Sequence, residues 1–224
     1  MMPMNCRFQS VFFDLDGTLA DTASDLAAAA NKMLVDRQMP TIPHQEMRHL
    51  ASSGARGMIH AAFGIHPEDN LFEELKEEFL RNYEQAIHVH TALFPGMDDL
   101  LNTLDAHQIP WGIVTNKHQR FTKPLVKSLG LDQRTNAIVS GDTTPHAKPH
   151  PAPILHAVSQ KSIATTNGVY IGDDLRDIQA GKAAGMHTIA AAYGYCGSAE
   201  PPESWEADFI VYDPKDLISI IFTQ

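Results

Sequence analysis

Short apolar runs recur along the chain and alternate with segments whose apolar residues have helical spacing. Six runs have the length of a buried strand. They lie at residues 11–13, 110–115, 137–139, 168–171, 187–190 and 209–211. The helical segments among them lie at residues 97–107, 118–129, 151–160, 175–184 and 214–220. Because strands that alternate with helices form right-handed βαβ units, we predict an α/β fold with a Rossmann-like, doubly wound parallel sheet.

The segment between the first two predicted strands has a different pattern, because it is helical throughout. Residues 22–39 and 67–87 form its two longest predicted helices, and no strand signal occurs within the segment. The second helix is acidic and places four apolar residues on one face, namely Leu71, Leu75, Phe79 and Tyr83. We therefore predict two domains, an α/β core of residues 1–20 and 92–224 and a small helical domain of residues 21–91.

Composition narrows the class of protein. A hydrophobic fraction of 43% in 224 residues is normal for a globular core. No apolar run approaches the roughly 20 residues that span a bilayer, and residues 1–10 lack the apolar core of a signal peptide. Two cysteines, Cys6 and Cys196, favour a reducing compartment, and the net charge of −10 argues against nonspecific binding to nucleic acid or anionic membranes. We therefore expect a cytoplasmic protein with no nucleic-acid or membrane partner.

The first apolar run ends on two aspartates and a glycine. Asp14 and Asp16 are two positions apart, so an extended chain would place both on one side, and Gly17 lets the backbone turn directly afterwards. Two carboxylates at the end of a buried strand are costly unless a cation lies between them. Mg²⁺ meets this need, since it prefers oxygen ligands. The alternative is a solvated β-turn after an edge strand.

Polar residues also follow later strands, where parallel sheets bind their ligands. Four polar elements occur in a fixed order along the chain. They are Asp14-Leu15-Asp16-Gly17-Thr18, Val114-Thr115-Asn116-Lys117, Ala147-Lys148-Pro149-His150-Pro151 and Ile171-Gly172-Asp173-Asp174-Leu175-Arg176-Asp177. Each element alone is a weak to moderate signal, but their combination at strand ends indicates one active site.

With these four elements the chain resembles the haloacid-dehalogenase superfamily of phosphohydrolases, over nearly its whole length. The helical domain resembles the cap of the phosphoglycolate-phosphatase and β-phosphoglucomutase branch. Residues 172–181 and 191–195 look closest to the phosphoglycolate phosphatases. Residues 52–58 and 109–112 further resemble the N-acetylmuramic acid 6-phosphate phosphatases among them.

The resemblance implies a role for each carboxylate. Asp14 would be the nucleophile that forms an aspartyl-phosphate. Asp16 would protonate the leaving oxygen and then take a proton from the attacking water. Asp14, the backbone carbonyl of Asp16 and Asp173 would hold Mg²⁺. Asp177 would orient Lys148 or a water molecule beside the metal.

The same resemblance implies three groups that bind the substrate's phosphate. Thr115 and the backbone amide of Asn116 would donate hydrogen bonds to phosphoryl oxygens, and Lys148 would offset the charge of the phosphate and of Asp14. Each has a structural alternative, since Thr115 is a possible N-cap of the next helix and Lys148 a possible solvated loop lysine. Asp174 is more simply a helix cap than a ligand.

Arg56 is the candidate for substrate recognition in the predicted cap. It follows the small residues Ser53, Gly54 and Ala55 in a stretch that would close over the site in similar enzymes. A guanidinium suits a carboxylate of the substrate. The alternative is a solvated arginine at the start of a helix.

The resemblance therefore implies a magnesium-dependent phosphatase that hydrolyses a small phosphorylated metabolite. The two favoured substrates are 2-phosphoglycolate, a compound of carbohydrate metabolism, and N-acetylmuramic acid 6-phosphate. The assembly is expected to be a monomer or a homodimer. Residues 20–21 and 91–96 would act as hinges that close the cap over the site.

Three other functions are compatible with this scaffold. A sugar-phosphate mutase of the β-phosphoglucomutase type would share every core motif. A dehalogenase would need the nucleophilic aspartate but no metal, and Asp16, Asp173 and Asp177 argue against it. A binding protein without catalysis gains no support, because all four motifs keep competent side chains.

Overall fold

The computed structural model describes residues 5–160, 165–197 and 200–223, and a parallel sheet forms the centre of the molecule. The strands, in chain order, are β1 (Asn5–Cys6), β2 (Ser10–Phe13), β3 (Ala20–Asp21), β4 (Ala92–Leu93), β5 (Trp111–Val114), β6 (Ala137–Val139), β7 (Gly168–Gly172), β8 (His187–Ala191), β9 (Phe209–Val211) and β10 (Phe222–Thr223). The central sheet has the order β6-β5-β2-β7-β8-β9, and every neighbouring pair is parallel. The predicted α/β fold is confirmed.

Helices cover both faces of the central sheet. They are, in chain order, α1 (Ala23–Asp36), α2 (His44–Met47), α3 (Gly54–Phe63), α4 (Phe72–Gln85), α5 (Met97–Ala106), α6 (Gln119–Ser128), α7 (Ala152–Ser159), α8 (Leu175–Ala183) and α9 (Leu217–Ile221). Side chains of α5, α6 and α9 pack on one face, and those of α7 and α8 pack on the other. This is the doubly wound arrangement.

Strand β2 lies in the middle of the sheet and is buried throughout. Because side chains alternate along a strand, Val11 and Phe13 enter the apolar cluster on one face, whereas Phe12 enters the cluster on the opposite face. Strands β5 and β6, which come next in the sheet, lie on one side of β2, and β7, β8 and β9 lie on its other side. The carboxyl end of β2 is therefore the topological switch point, where open α/β sheets bind ligands.

Helices α1 to α4, which we call the cap helices, pack around an apolar cluster of their own. Its largest fully buried side chains are Met33, Leu34, Met47, Met58, Phe79 and Tyr83. The two connections to the rest of the chain run side by side, because β3 and β4 form an antiparallel pair. The buried carboxylate of Asp25 in α1 accepts hydrogen bonds from the backbone of Val89, His90 and Thr91. The division of the chain into a core and a cap domain stays a prediction.

Several element boundaries differ from those predicted. Helix α1 ends at Asp36 rather than at residue 39, since Gln38 has a positive φ of 56°. Helix α4 begins at Phe72, so Leu71, which was expected on the buried face, is 56% exposed. The short pairs β3–β4 and β1–β10 were not predicted, because two residues are too few for a periodic signal.

Among the helices of the described ranges, none is both long and apolar enough to cross a membrane.

Candidate active site

Three polar side chains meet at the carboxyl ends of β5, β2 and β7. Phe13 of β2 pairs with Ile113 of β5 and with Ile171 of β7, so the residues that follow these strands reach the same edge of the sheet. Asp14 follows β2, Thr115 follows β5 and Asp173 follows β7. The parallel register therefore brings together residues that are about 60 to 160 positions apart.

A cavity of about 220 Å³ opens at this edge and extends to the start of α3. Its walls carry seven of the eight residues predicted for the site. They are Asp14, Asp16, Thr115, Asn116, Lys148, Asp173 and Asp177. The cap side of the same cavity is formed by Leu26, Ala51, Ser52, Ser53 and Gly54.

The carboxylates of Asp14, Asp173 and Asp177 form an acidic cluster in which each offers an oxygen within 4.8 Å of the others. Burial, together with the charges of Asp14 and Asp177, holds the pKa of Asp173 well above its ordinary value. Burial likewise raises the pKa of Asp177 to about 7, against the opposing charge of Lys148. Three crowded carboxylates whose oxygens face one another fit a hard divalent cation.

Two glycines allow Asp173 to approach the turn after β2. Gly17 has a φ of +82°, and a Cβ there would lie 2.2 Å from Asp173 Oδ2. A Cβ on Gly194 would lie 2.3 Å from the Cβ of Asp173. Asp173 Oδ1 accepts a hydrogen bond from the Thr18 hydroxyl (2.9 Å), and Oδ2 accepts one from the Tyr195 amide (2.8 Å). The carboxylate is thus fixed by its neighbours before any ligand binds.

Lys148 is buried between two members of the acidic cluster. Its Nζ lies 2.9 Å from Asp14 Oδ1 and 2.6 Å from Asp177 Oδ1. It also donates hydrogen bonds to the carbonyl oxygen of Val114 (2.9 Å) and to the Tyr170 hydroxyl (2.8 Å). The pKa of Lys148 lies well above its ordinary value, because the attraction of Asp14 and Asp177 outweighs the effect of burial, which lowers it. Lys148 is therefore a charged residue of the site and not a solvated loop lysine.

The Asn116 side chain positions Lys148, a role that sequence reasoning missed. Asn116 Nδ2 donates to the Lys148 carbonyl oxygen, and Asn116 Oδ1 accepts from the Lys148 amide, both at 2.9 Å. The Thr115 hydroxyl accepts a hydrogen bond from the Lys117 amide (3.1 Å). Thr115 is not the N-cap of α6, because His118 holds that position and its ring accepts from the Arg120 amide.

Asp16 faces the cavity from the turn after β2. Its Oδ1 accepts hydrogen bonds from the Thr22 hydroxyl (2.6 Å) and from Lys117 Nζ (2.9 Å). Both contacts are on one oxygen, so Oδ2 takes part in neither. The Lys117 side chain is only 9% exposed and lies over the ring of Tyr83 in α4, 4.6 Å from its centroid. Lys117 was part of a predicted motif, but no role was predicted for it.

The start of α8 connects the site to the cap helices. Asp174 is the N-cap of α8, as predicted, and forms a capping box with Asp177. Arg176, which was not predicted, pairs with Asp174 through Nε (2.8 Å) and donates from Nη2 to the carbonyl oxygen of Ser52 (3.1 Å). Arg176 therefore contacts the cap side of the cavity directly.

A second connection to the cap helices passes through Tyr195, which is buried beside the acidic cluster. Its hydroxyl accepts hydrogen bonds from the amides of Thr22 (2.7 Å) and Ala23 (2.9 Å) at the start of α1. It also donates to Asp21 Oδ1 (3.1 Å), and the Arg48 guanidinium lies over the Tyr195 ring while pairing with Asp21. Tyr195 thus contacts the acidic cluster through its backbone amide, and β3 and α1 through its hydroxyl.

Arg56 is the predicted site residue that the structure does not bring to the cavity. It is exposed on α3 and is not among the residues that line the cavity. Its neighbours Ser52, Ser53 and Gly54 line the cavity instead. Recognition of a substrate carboxylate by Arg56 stays a prediction.

Comparisons with known proteins agree with this geometry. Residues 11–191 match the family of haloacid dehalogenase-like hydrolases. The N-acetylmuramic acid 6-phosphate phosphatase of Pseudomonas putida is 39% identical over 215 residues, which cover 96% of each chain. The phosphoglycolate phosphatase of Xanthomonas campestris pv. campestris is 41% identical over 209 residues, which cover 93% of this chain and 94% of the relative.

The fold has solved counterparts as well. The crystal structure of a predicted phosphoglycolate phosphatase from Haemophilus somnus superposes with a TM-score of 0.83 at 26% identity, covering 96% of this chain and 98% of that one. The predicted enzyme class, a hydrolase of the phosphatase type, is confirmed by the family match and the relatives. This chain belongs to the haloacid dehalogenase-like hydrolase family.

Proposed function

We propose that this enzyme is a Mg²⁺-dependent phosphatase that hydrolyses a small anionic phosphomonoester through a covalent intermediate on Asp14. The observation that carries the proposal is the surroundings of Asp14. A buried ammonium, Lys148 Nζ, lies 2.9 Å from its Oδ1, and Asp173 and Asp177 complete an acidic cluster beside it. Asp14 is therefore held in a fixed position next to a cation that would attract a phosphate dianion.

Asp14 and Asp173 would hold the metal with side-chain oxygens, and Asp16 would contribute its backbone carbonyl. Asp177 also has an oxygen within reach of the acidic cluster, but its 2.6 Å contact with Lys148 favours the role of orienting that lysine. When bound, Mg²⁺ would neutralise phosphoryl charge and orient the substrate phosphate.

In the first step, an oxygen of Asp14 attacks the phosphorus atom and the bond from phosphorus to the leaving oxygen breaks. Asp16 gives its proton to that oxygen, so the leaving group departs as an alcohol. Its Oδ1 is held by Thr22 and Lys117, which leaves Oδ2 to face the leaving oxygen. The Thr115 hydroxyl, the Asn116 amide and Lys148 bind the phosphoryl oxygens.

In the second step, water attacks the phosphorus atom of the aspartyl-phosphate and the bond to Asp14 breaks. Asp16 takes the proton of that water, so both aspartates return to their starting states. The cap helices would close over the cavity to exclude bulk water and open to release the product. This closure requires the division into core (1–20 and 92–224) and cap (21–91), which we retain as part of the proposal.

The names of the relatives support two substrates, 2-phosphoglycolate and N-acetylmuramic acid 6-phosphate. Both are anionic beyond their phosphate, and the cations that line the cavity, Lys117, Lys148 and Arg176, would offset part of that charge. The mutase alternative gains no support from these relatives. The dehalogenase alternative has no need of the acidic cluster formed by Asp14, Asp173 and Asp177.

Phosphate release from the two substrates tests the proposal, with Mg²⁺ or with EDTA. Wild type should release phosphate only with Mg²⁺, and Asp14→Asn should be slower by roughly a thousandfold or more because the amide is not a nucleophile. Asp99→Asn, a change of an exposed carboxylate on α5, is the matched control and should behave as wild type. Undiminished release by Asp14→Asn, or by wild type in EDTA, would contradict the proposal.

A further inference from the structure

A second cavity adjoins the candidate active site on the side of the cap helices. Its volume is about 410 Å³, within the range of roughly 300–1,000 Å³ that holds small ligands. The two cavities share four lining residues, which are Leu26, Gly54, Asn116 and Lys117. A ligand whose phosphate occupies the first cavity therefore has a direct path into the second.

The walls of the second cavity are mainly apolar and come from both parts of the chain. Leu26, Phe79 and Leu80 line it from α1 and α4, together with Tyr83, and Phe121 lines it from α6. The rings of Phe79 and Tyr83 are stacked with centroids 6.3 Å apart, and Phe121 packs 5.7 Å from Tyr83. Such rigid aromatic surfaces contact a bulky ligand at low cost in side-chain entropy.

Polar side chains line one part of this cavity. They are Glu77, Asn116, Lys117, His118 and Arg120. The Lys117 ammonium stands at the junction with the first cavity and lies over the ring of the buried Tyr83, 4.6 Å from its centroid. A ligand in the second cavity would therefore meet polar groups on the side of Lys117 and aromatic walls on the other side.

Arg120 and Glu84 join the two walls beside this cavity. Arg120, which lines the cavity at the start of α6, donates from Nε to Glu84 Oε1 of α4 at 2.8 Å and pairs through Nη2 with the second carboxylate oxygen. This two-point contact joins the start of α6 to the end of α4 beside the cavity. The cavity is thus enclosed by cap and core in the same conformation that assembles the acidic cluster.

We propose that the second cavity holds the leaving group, and that the substrate is a phosphomonoester of a ring-sized, partly apolar alcohol such as an amino sugar. The proposal rests on the proposed function, because it assigns the phosphate to the first cavity. A two-carbon leaving group would leave the aromatic walls uncovered, whereas a pyranose ring presents an apolar face to them and hydroxyls to Tyr83 and Lys117. This extra contact area would make the enzyme select a ring-sized leaving group over a two-carbon one.

The test compares two substrates that share a phosphate and a carboxylate and differ in the ring. For wild type with Mg²⁺, kcat/KM for N-acetylmuramic acid 6-phosphate should exceed that for 2-phosphoglycolate by about tenfold or more. Leu80→Trp narrows the second cavity from α4 and should lower this ratio by at least about tenfold. Leu71→Trp adds the same ring to an exposed position just before α4 and should keep the wild-type ratio.

Failure of the inference is distinguishable from failure of the proposed function. If wild type hydrolyses both esters in an Asp14-dependent manner but prefers 2-phosphoglycolate, the inference is wrong and the phosphatase assignment stands. An unchanged ratio in folded Leu80→Trp, judged by circular dichroism, would also overturn it. If neither ester nor any other small phosphate is hydrolysed, both proposals fail together.

Discussion

Asn116 illustrates how a single side chain determines the geometry of this site. Its two hydrogen bonds to the backbone of Lys148 hold the loop that carries the buried ammonium. The backbone amide of the same residue is the proposed phosphate donor, so a change of the side chain separates the two roles. Loss of the side chain should let Lys148 shift without removing that donor.

We expect Asn116→Ala to lower kcat by about tenfold or more and to change KM little. The physical reason is that small displacements of a catalytic group cost large factors in rate, whereas the phosphate donor is kept. Steady-state phosphate release measures both constants. Asn70→Ala, an exposed asparagine just before α4, is the control, and an unaltered kcat in Asn116→Ala would show that Lys148 needs no such support.

The site residues that were predicted from the sequence are those that stand in short motifs of neighbouring residues. Asp14, Asp173 and Lys148 stand at strand ends or in a short motif, and the family resemblance carried by those motifs implied their roles. Lys117 and Tyr195 were missed because their partners are distant in the chain. Lys117 contacts Asp16 across 101 positions, and Tyr195 contacts Thr22 across 173. Only the folded sheet brings these pairs together, and no periodic pattern encodes them.

At the scale of elements, the start of α1 depends on the side chain of Tyr195, which follows strand β8. The Thr22 side chain does not cap α1, because its hydroxyl donates to Asp16. The Tyr195 hydroxyl accepts from the first amides of the helix in its place. A helix N-terminus without an acceptor leaves its N–H groups unsatisfied. Hydrogen bonds therefore connect Tyr195 to helix α1 and to strand β3, and through Thr22 to Asp16.

Tyr195→Phe removes that acceptor and should lower the free energy of unfolding by about 1–2 kcal/mol, the usual range for loss of a helix cap or a buried hydrogen bond. Urea denaturation followed by circular dichroism gives the value. Tyr212→Phe removes the hydroxyl of an exposed tyrosine and should cost less. Equal stability of Tyr195→Phe and wild type would mean that α1 does not rely on this hydroxyl.

Helices α1 and α4 are joined at the surface by Arg37 and Glu78, with contacts of 2.7 and 2.6 Å. The hydrogen bond from Arg37 lowers the pKa of Glu78 below its ordinary value. A lowered folded-state pKa means that the pair stabilises the fold above the unfolded-state pKa and loses this effect as pH falls through the folded value. Since the pair is partly exposed, its contribution to the free energy of unfolding should be small.

Glu78→Gln should therefore be less stable than wild type by about 0.5 kcal/mol at pH 7. The difference should shrink as pH falls below the ordinary glutamate range, because wild type then loses the charge as well. Urea midpoints measured across that pH range test this. A difference that is the same at every pH would assign the effect to packing.

At the scale of the whole molecule, the proposed metal site predicts a link between folding and metal binding. The carboxylates of the acidic cluster each offer an oxygen within 4.8 Å of the others, and a divalent cation bound only by the native state would stabilise the fold by mass action. The pKa of Asp173 is raised by burial and by its acidic neighbours. Metal should thus affect stability as well as activity.

Thermal unfolding with Mg²⁺ and with EDTA measures this link. We expect Mg²⁺ to raise the Tm of wild type, with about 2.7 kcal/mol gained at a concentration a hundred times the Kd. Asp173→Asn should match or exceed wild type in EDTA, since one buried charge is gone, and should gain little from Mg²⁺. NaCl at equal ionic strength is the control, and a Tm that responds equally to both salts would contradict a specific site.

The layout of the molecule could largely be predicted from the sequence, since short apolar runs that alternate with helical segments predict a parallel sheet. The arrangement of the cap helices over the site was not, because contacts such as Arg176 with Ser52 and Arg120 with Glu84 join segments that share no local pattern. The position of Arg56 relative to the cavity could not be predicted from the sequence either. A lone cation before a helix suggested a ligand for the substrate, but the fold exposes it and turns Ser52 and Gly54 to the cavity.

The proposed function depends on a covalent phosphate intermediate on Asp14, and a trapping experiment can detect that intermediate. Wild type is mixed with Mg²⁺ and either ester, quenched in acid within milliseconds, digested and analysed by mass spectrometry. We expect a phosphorylated peptide whose modified residue is Asp14, which appears before the reaction reaches steady state and is absent in Asp14→Asn. Turnover with no phosphorylated peptide at any time, or with the phosphate on another residue, would contradict it.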